Sequence, residues 1–320
     1  MQSFKTVEAN RACPISGTNE ALEVYAVDRH GKDLRNVINK ASGLIYVDPV
    51  PFKNTEAFYK TEYRKSYKGV LTPKPKHIYR AGKNALKRLK LLEPFLKPEA
   101  KILDAGSSSG EFVYLSAKRG YISSGLEANI PYAEFSKQAL GIEVTNTAFS
   151  EFSSEKTYDC ITLFHVLEHL EHPKRDLLHL SENLKVGGII AIEVPNIAYH
   201  KMALKHKWHP GHLYSYTPAT LAALLQSLGF EIVQCEKVDK DANVFGVFKK
   251  RSSTPAPVPQ SIEAVLAEQL AAKLSSDNTA YYLNIFNYLK PFPKLYKNLL
   301  EKRATASKSP KEILDSLIVQ

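Results

Sequence analysis

An α/β fold, with a mostly parallel sheet and helices on both faces, is what this sequence predicts, and three observations predict it. From about residue 100 to 250, short apolar runs alternate with helical patterns, as strands joined by crossover helices do. Lys101-Ile-Leu-Asp-Ala-Gly-Ser-Ser-Ser-Gly110 reads as a strand ending in Asp104, a turn of small residues, and a helix beginning near Glu111. Tyr121-Ile-Ser-Ser-Gly-Leu-Glu127 reads as a second strand ending in an acid, 17 residues after Gly110. A βαβ unit of that length sets a carboxylate against ribose hydroxyls.

Taken in order, residues 1 to about 70 read as a small β-rich module, with a strand pattern at Leu22-Glu-Val-Tyr-Ala-Val. Cys13-Pro-Ile-Ser16-Gly17 and Asn39-Lys-Ala-Ser42-Gly43 resemble the two knuckles of a zinc ribbon, with Cys13, Ser16, Asn39 and Ser42 at the ligand positions. One thiol, two hydroxyls and an amide do not make a closed zinc site, so the ribbon is expected to persist without metal. Residues 71–82 read as a basic, proline-marked connection. Lys83 to Leu96 repeats leucines at helical spacing (Leu86, Leu89, Leu92, Leu96). The expected division is 1–83, 84–250 and 251–320.

Within the central domain, the first two strands are followed by a helix over Pro131 to Leu140 and a third strand at Ile142-Glu-Val. Tyr158 to Phe164 is the fourth strand and Gly187 to Asn196 the fifth. Thr217 to Leu228 is an amphipathic helix, capped by Thr217-Pro218 and stopped at Gly229. Gly229-Phe-Glu-Ile-Val and Asn243-Val-Phe-Gly-Val-Phe supply the last two strands, making seven. From Arg251 the composition shifts to a proline-rich linker. Ser261 to Leu274 and Thr279 to Leu300 then read as helices, the second broken by Pro291 and Pro293. This extension could cap the core, mediate dimer contacts or touch a membrane surface; it is expected to pack on the core or on a second subunit, being too interrupted for an interfacial helix, so a homodimer through it is one expected partner.

The first turn also limits the ligand. Gly106 and Gly110 allow close approach and positive φ, and a helix start favours an anion or a polar group. A dinucleotide turn wants G-x-G-x-x-G, whereas this turn is D-x-G-x-x-x-G. An acid before the first glycine repels a pyrophosphate and suits a charged amino group. Asp104-Ala105-Gly106 through Gly110, with Gly125-Leu-Glu127, resembles the first two motifs of class I S-adenosylmethionine-dependent methyltransferases. With the ribbon-like head and the aromatic segment Phe58-Tyr59 and Tyr63 to Tyr67, the chain is similar to a bacterial group that includes sugar C-methyltransferases. The resemblance covers about residues 10 to 250 and implies a Rossmann-like, seven-stranded sheet with S-adenosyl-L-methionine as cofactor. It implies that Asp104, Ala105, Gly106, Ser107 and Gly110 bound the amino-acid end, through loop amides. It also implies that Glu127, with Ala128 beside it, takes the ribose, that Ala148 and Phe149 meet adenine, and that Phe164 and His165 flank the methyl.

Two histidine clusters carry the remaining chemistry. In His165-Val-Leu-Glu168-His169-Leu-Glu-His172, a continuous helix would put positions 165, 168, 169 and 172 on one face. Three readings stand: an inverted zinc-protease motif, which belongs on another fold; the E-x-x-E-H metal site of small-RNA and quinone-pathway O-methyltransferases, with His165 in place of the first Glu; and a hydrogen-bonded Leu-Glu-His-Leu element with His165 facing the cleft and no metal. The last is preferred. The second cluster, His206-Lys-Trp208-His209-Pro-Gly-His212-Leu-Tyr214-Ser-Tyr216, resembles the family's acceptor-bordering segment. The candidate bases are His165, His209 and His212, with Tyr199 and Tyr214 orienting the acceptor.

Composition bounds the rest. A 320-residue chain has room for one catalytic domain and additions. Its net charge of +10 hints at an anionic partner. With the head, it suits a small-molecule acceptor that is phosphorylated or sugar-linked. No DNA partner is expected, and no RNA-binding motif is recognisable. Three separated cysteines argue against a disulfide framework. The absence of an apolar run near 18 residues and of a signal peptide makes a cytoplasmic protein the expectation.

Overall fold

The computed structural model describes residues 4–55, 72–251, 265–288 and 291–319. The aromatic segment Phe58 to Tyr67 and most of the proline-rich linker lie outside the described residues. Two sheets form among the described residues. One is antiparallel, from β1 (Thr6–Glu8), β2 (Glu20–Val27), β3 (Asp33–Asn39), β4 (Ile45–Val47) and β10 (Tyr214–Ser215), in the order β1-β2-β3-β4-β10. The other has seven strands: β5 (Lys101–Ala105), β6 (Ile122–Leu126), β7 (Val144–Thr145), β8 (Tyr158–Phe164), β9 (Leu184–Pro195), β11 (Phe230–Val238) and β12 (Asn243–Lys250). Its order is β11-β12-β9-β8-β5-β6-β7. β5 is parallel to β6 and to β8, and β6 to β7, while β11 and β12 form an antiparallel hairpin. The predicted fold class is therefore observed.

The chain divides into two compact units, neither of them one continuous stretch. Residues 54–163, 179–189 and 289–320 form the unit that holds β5 to β7. Its register sets Asp104 beside Gly125 on one side and Thr162 on the other. Helix α1 spans Pro75–Leu92, so the connection expected over 71–82 is helical from Pro75. Proline is tolerated there because it stands in the first turn. Ile78, Gly82, Ala85, Leu89 and Leu92 then form a buried stripe at helical spacing. α2 (Glu111–Lys118) and α3 (Ile130–Phe135) follow, and a π-helical turn over Ser136–Leu140 ends the helix predicted for 131–140.

The C-terminal helices α8 (Pro291–Thr305) and α9 (Pro310–Ile318) belong to this unit. α9 opens with a capping box between Ser309 and Glu312 and buries Ile313, Leu314 and Leu317. Gly82 lets it close on α1: a Cβ there would lie 2.6 Å from Leu314 and 2.7 Å from Leu317. Tyr114 on α2 donates to Asp315 at 2.8 Å. Arg80 on α1 donates to Glu301 at 2.8 Å and to Asn298 at 2.7 Å on α8.

The other unit takes residues 1–53, 164–178 and 190–288. It includes α4's start (α4, Pro173–Glu182), α5 (Leu204–Lys207), α6 (Pro218–Gln226) and α7 (Val265–Leu283). Its core joins Leu22, Leu34, Ile38, Ile45 and Val47 to Trp208, Ala267 and Leu274. α7 therefore packs on the N-terminal sheet. β10, some 170 residues after β4 in the chain, completes that sheet by pairing Tyr214 with Tyr46 and Ser215 with Ile45. Thr217 caps α6 through a reciprocal bond with Thr220.

The knuckle-like positions do converge in this unit. Gly17 and Gly43, both at positive φ, close tight turns by donating to Cys13 O and Asn39 O, each at 2.9 Å. Cys13 Sγ lies 3.1 Å from Ser42 Oγ. Ser16 Oγ and Ser42 Oγ both donate to Asn39 Oδ1, at 2.9 and 3.0 Å. A hydrogen-bonded polar cluster thus ties the two turns together.

Candidate active site

β5 ends at Ala105 and the chain turns through Gly106 at φ 82°, Ser108 at 52° and Gly110 at 83°. These left-handed residues explain the glycines, since a side chain is strained there. A Cβ on Gly110 would also collide with Ile142. Gly125 is small for another reason: a Cβ there would lie 2.5 Å from Ser107 Oγ.

The turn's amides are not a row of free donors, as the sequence reading expected. Gly106 and Ser107 both donate to Leu126 O, at 2.7 and 3.0 Å, and Gly110 donates to Ser107 O at 2.9 Å. Ser108 donates to Glu127 Oε2 at 2.7 Å, while Asn129 donates to Oε1 at 2.9 Å. The turn is pulled onto the end of β6 because a buried amide must find an acceptor. Glu127 is therefore brought to the turn, with both of its oxygens accepting from backbone amides. Asn146 fixes the next step by donating to Glu127 O and Ala128 O, at 2.7 and 3.2 Å. Ala148 is buried at the start of a short 3-10 turn, Phe149–Glu151, with Phe149 half-buried.

Asp104 is 5% exposed and accepts from Thr162 Oγ1 at 2.7 Å. Burial pushes its carboxyl up to about 6, against the lowering effect of the Thr162 bond. Thr162 was missed by sequence reasoning, though it is the polar residue in the apolar run from Ile161 to Phe164.

The histidine clusters lie in the other unit. Phe164 closes β8, nearly buried, and His165 follows at φ 56°. A 3-10 turn at Leu167–His169 interrupts the segment, and α4 begins only at Pro173. Residues 165–172 are therefore not one helix; the left-handed His165 and the proline break it. His172 is exposed at the start of α4.

His165 is held from both sides. Its Nε2 lies 3.0 Å from Glu193 Oε1, and its Nδ1 lies 3.3 Å from Glu168 Oε1. The ring is thus set between two buried carboxylates, one at hydrogen-bond distance and one slightly beyond it. Glu193 is a lone acid in the apolar strand β9, a signal the sequence offered and the reading passed over.

Glu168 is 1% exposed, and neither of its oxygens has a well-aligned hydrogen bond. Burial works against its charge, but the His165 bond and the nearby His169 outweigh it and hold the carboxyl at about 2. His169 Nδ1 lies 2.7 Å from Gly211 O, so that nitrogen is the donor. Its Nε2 then faces Glu168 Oε1 at 3.9 Å. Glu168, His169 and His212 can direct one ligand atom each into a common space, all within 4.8 Å of one another.

His209 uses its Nδ1 to accept from Gly211 N at 2.9 Å, and burial lowers its pKa to about 4. It is a neutral ring that shapes the turn, and that lone pair is already committed. Tyr214, expected to orient the acceptor, instead belongs to the N-terminal sheet. Its hydroxyl takes Arg11 Nη1 at 3.1 Å and donates to Glu171 O at 3.2 Å. Burial raises it to about 12. Arg11, which sequence reasoning missed, stacks on Tyr46 and Tyr214 at 5.3 and 4.9 Å from the ring centres. Tyr199 is half-buried. Burial holds His212, the third candidate base, well below the usual imidazole range.

Residues 77–235 match a family model described as a methyltransferase domain. Among characterised proteins, the chain is 29% identical over 103 residues to a ubiquinone biosynthesis O-methyltransferase of Rickettsia typhi, covering 30% of this chain and 41% of that one. It is 24% identical over 154 residues to the Rickettsia canadensis protein of the same name, covering 41% of this chain and 63% of that one. The chain thus spans less than two thirds of the length of either relative. Among solved structures, it resembles the 1,6-didemethyltoxoflavin-N1-methyltransferase of Burkholderia thailandensis, with a TM-score of 0.51, 17% identity and coverage of 65% of this chain and 95% of that one. With the glycine-bracketed turn and the acid ending β6, residues 77–235 are matched as a methyltransferase domain.

Proposed function

We propose that this chain transfers a methyl group from S-adenosylmethionine to a hydroxyl oxygen of a small molecule. The observation that carries the oxygen assignment is Glu168: a buried, ionised carboxylate beside a neutral His212. A neutral imidazole can take a hydroxyl proton, and a nearby carboxylate stabilises the imidazolium that results. The relatives named as O-methyltransferases support the same atom.

When bound, the cofactor supplies an electrophilic sulfonium methyl. The chain's part is to align, exclude water and move one proton. Glu127, held at the turn by the amides of Ser108 and Asn129, is assigned to the ribose hydroxyls, and Ala148 and Phe149 to the adenine. Asp104, Ala105, Gly106, Ser107 and Gly110 bound the amino-acid end by their shape. Ala128 carries the Asn146 bond that fixes the wall. Phe164 and His165 are assigned to the methyl, and His165 is paired with Glu168 and Glu193. His212 takes the acceptor's proton, and His169 and His209 hold its turn through Gly211. The test is transfer of labelled methyl to a panel of phenolic and sugar hydroxyls, with His212→Gln reducing kcat at unchanged KM for the cofactor. Full activity of His212→Gln rules this base out.

A second reading uses a metal. Glu168 Oε1 and His169 Nε2 lie 3.9 Å apart, and with His212 one ligand atom from each falls within 4.8 Å of the others. Glu168, His169 and His212 fit a divalent cation, which would lower a hydroxyl's pKa. Activity lost to a chelator and restored by magnesium or manganese supports it. Methylation at carbon of a nucleotide-linked sugar remains the alternative that the converging knuckle positions support. Turnover of such sugars, without turnover of phenols, selects it.

A further inference from the structure

The positive charge of this chain is concentrated on two packed helices. α1 holds six basic residues (Lys76, Arg80, Lys83, Lys87, Arg88, Lys90) and no acid. α8 holds four (Lys294, Lys297, Lys302, Arg303) and one acid, Glu301. The pair therefore carries a net +9, against +10 for the whole chain. Lys76, Lys83, Lys87 and Lys90 are exposed.

α8 has two faces. Asn298 and Glu301 meet Arg80 of α1, and Thr305, one turn on, is buried with them. On the opposite side, Tyr296, Leu299 and Leu300 point outward at 66%, 48% and 46% exposure. They recur at i, i+3 and i+4, so they form one stripe. Arg303 continues the stripe by one turn, and Lys297 and Lys302, both exposed, lie to its two sides. An aromatic and two leucines flanked by lysines is the pattern of a helix that lies in a lipid interface.

We propose that the outward face of α8 docks on an anionic membrane surface, with Tyr296, Leu299 and Leu300 entering the acyl boundary and Lys297, Lys302 and Arg303 meeting the headgroups. Charge complementarity selects this occupant. A stripe bordered by Lys297, Lys302 and Arg303 repels another copy of itself, and outward leucines gain nothing from a phosphate backbone. Anionic lipid offers both negative charge and an apolar layer. Among the described residues no helix is long and apolar enough to cross a membrane, so the contact is peripheral. The inference is independent of the methyl acceptor.

The test is co-sedimentation of the full chain with phosphatidylcholine vesicles, with and without about a third phosphatidylglycerol. Binding should be at least about tenfold tighter with the anionic lipid and should fall in about 0.5 M salt. The double variant Leu299→Asp, Leu300→Asp should lose about tenfold at low salt, with its melting temperature and cofactor binding unchanged. Lys297→Glu with Lys302→Glu should remove the preference for anionic lipid. Equal binding to neutral vesicles overturns the proposal, as does indifference to the leucine variant. Two further results also overturn it: a poly(A) probe that binds while vesicles do not, and a dimer by light scattering that the leucine variant abolishes.

Discussion

Replacing Asp104 with Asn should change the pH dependence of stability by a calculable amount. Asp104 is buried at the end of β5, with Thr162 donating to one oxygen. Burial raises its carboxyl from 3.8 to about 6. A raised acid favours the folded state while it is neutral in both states, below pH 3.8. That advantage is lost as pH rises through 6, because the unfolded chain ionises first. The distance from 3.8 to about 6 corresponds to about 3 kcal/mol. Asn is neutral throughout and still accepts from Thr162, so its own fixed effect does not vary with pH. Urea unfolding of the cofactor-free protein, wild type against Asp104→Asn, from pH 4 to pH 8 reads the difference directly. The variant should gain about 2.4 kcal/mol relative to wild type across that range, the first part of the roughly 3 kcal/mol having been lost by pH 4. Other titrating groups, His209 among them, cancel in the difference. A difference that stays flat to within about 0.5 kcal/mol refutes the reasoning, since a solvated Asp104 would give that result. With cofactor present, wild-type affinity should rise with pH toward 6 and the variant's should not, if the ionised carboxylate faces the cofactor's amino group.

Glu127→Ala should weaken cofactor binding by about 10- to 100-fold, the worth of hydrogen bonds to a charged acceptor; calorimetry with Glu127→Gln, which keeps one acceptor, should fall between. Gly82→Ala should destabilise by about 1–3 kcal/mol, because its methyl meets Leu314 and Leu317 of α9; a melting temperature equal to wild type would mean α9 is not seated on α1. His209, lowered to about 4 by burial, contributes stability that is present above pH 6.5 and lost as pH falls toward 4. His209→Gln should therefore flatten the wild-type loss of stability between those limits, read by urea unfolding.

Local rules carried the sequence reading a long way. The seven strands, the glycine-bracketed turn after β5, the acid ending β6 and the Thr217-Pro218 cap were all legible in the sequence, because each depends on residues a few positions apart. Backbone preference, two- or 3.6-residue periodicity and glycine's access to positive φ act over that range. The knuckle positions were legible for the same reason, each being a short turn closed by its own glycine.

What the sequence could not supply was the partner of each buried polar atom. The turn's amides answer to Leu126 and Glu127 rather than to a ligand. His165 lies between Glu168 and Glu193, Tyr214 is held by Arg11 across 203 positions, and α1 takes its charge partner from α8. Burial obliges every such group to pair, but only the folded chain decides which distant atom arrives within hydrogen-bond reach. That is also why the sequence named His209, His212 and Tyr214 alike: it could not show that the Tyr214 hydroxyl is held by Arg11 and Glu171 in the N-terminal sheet.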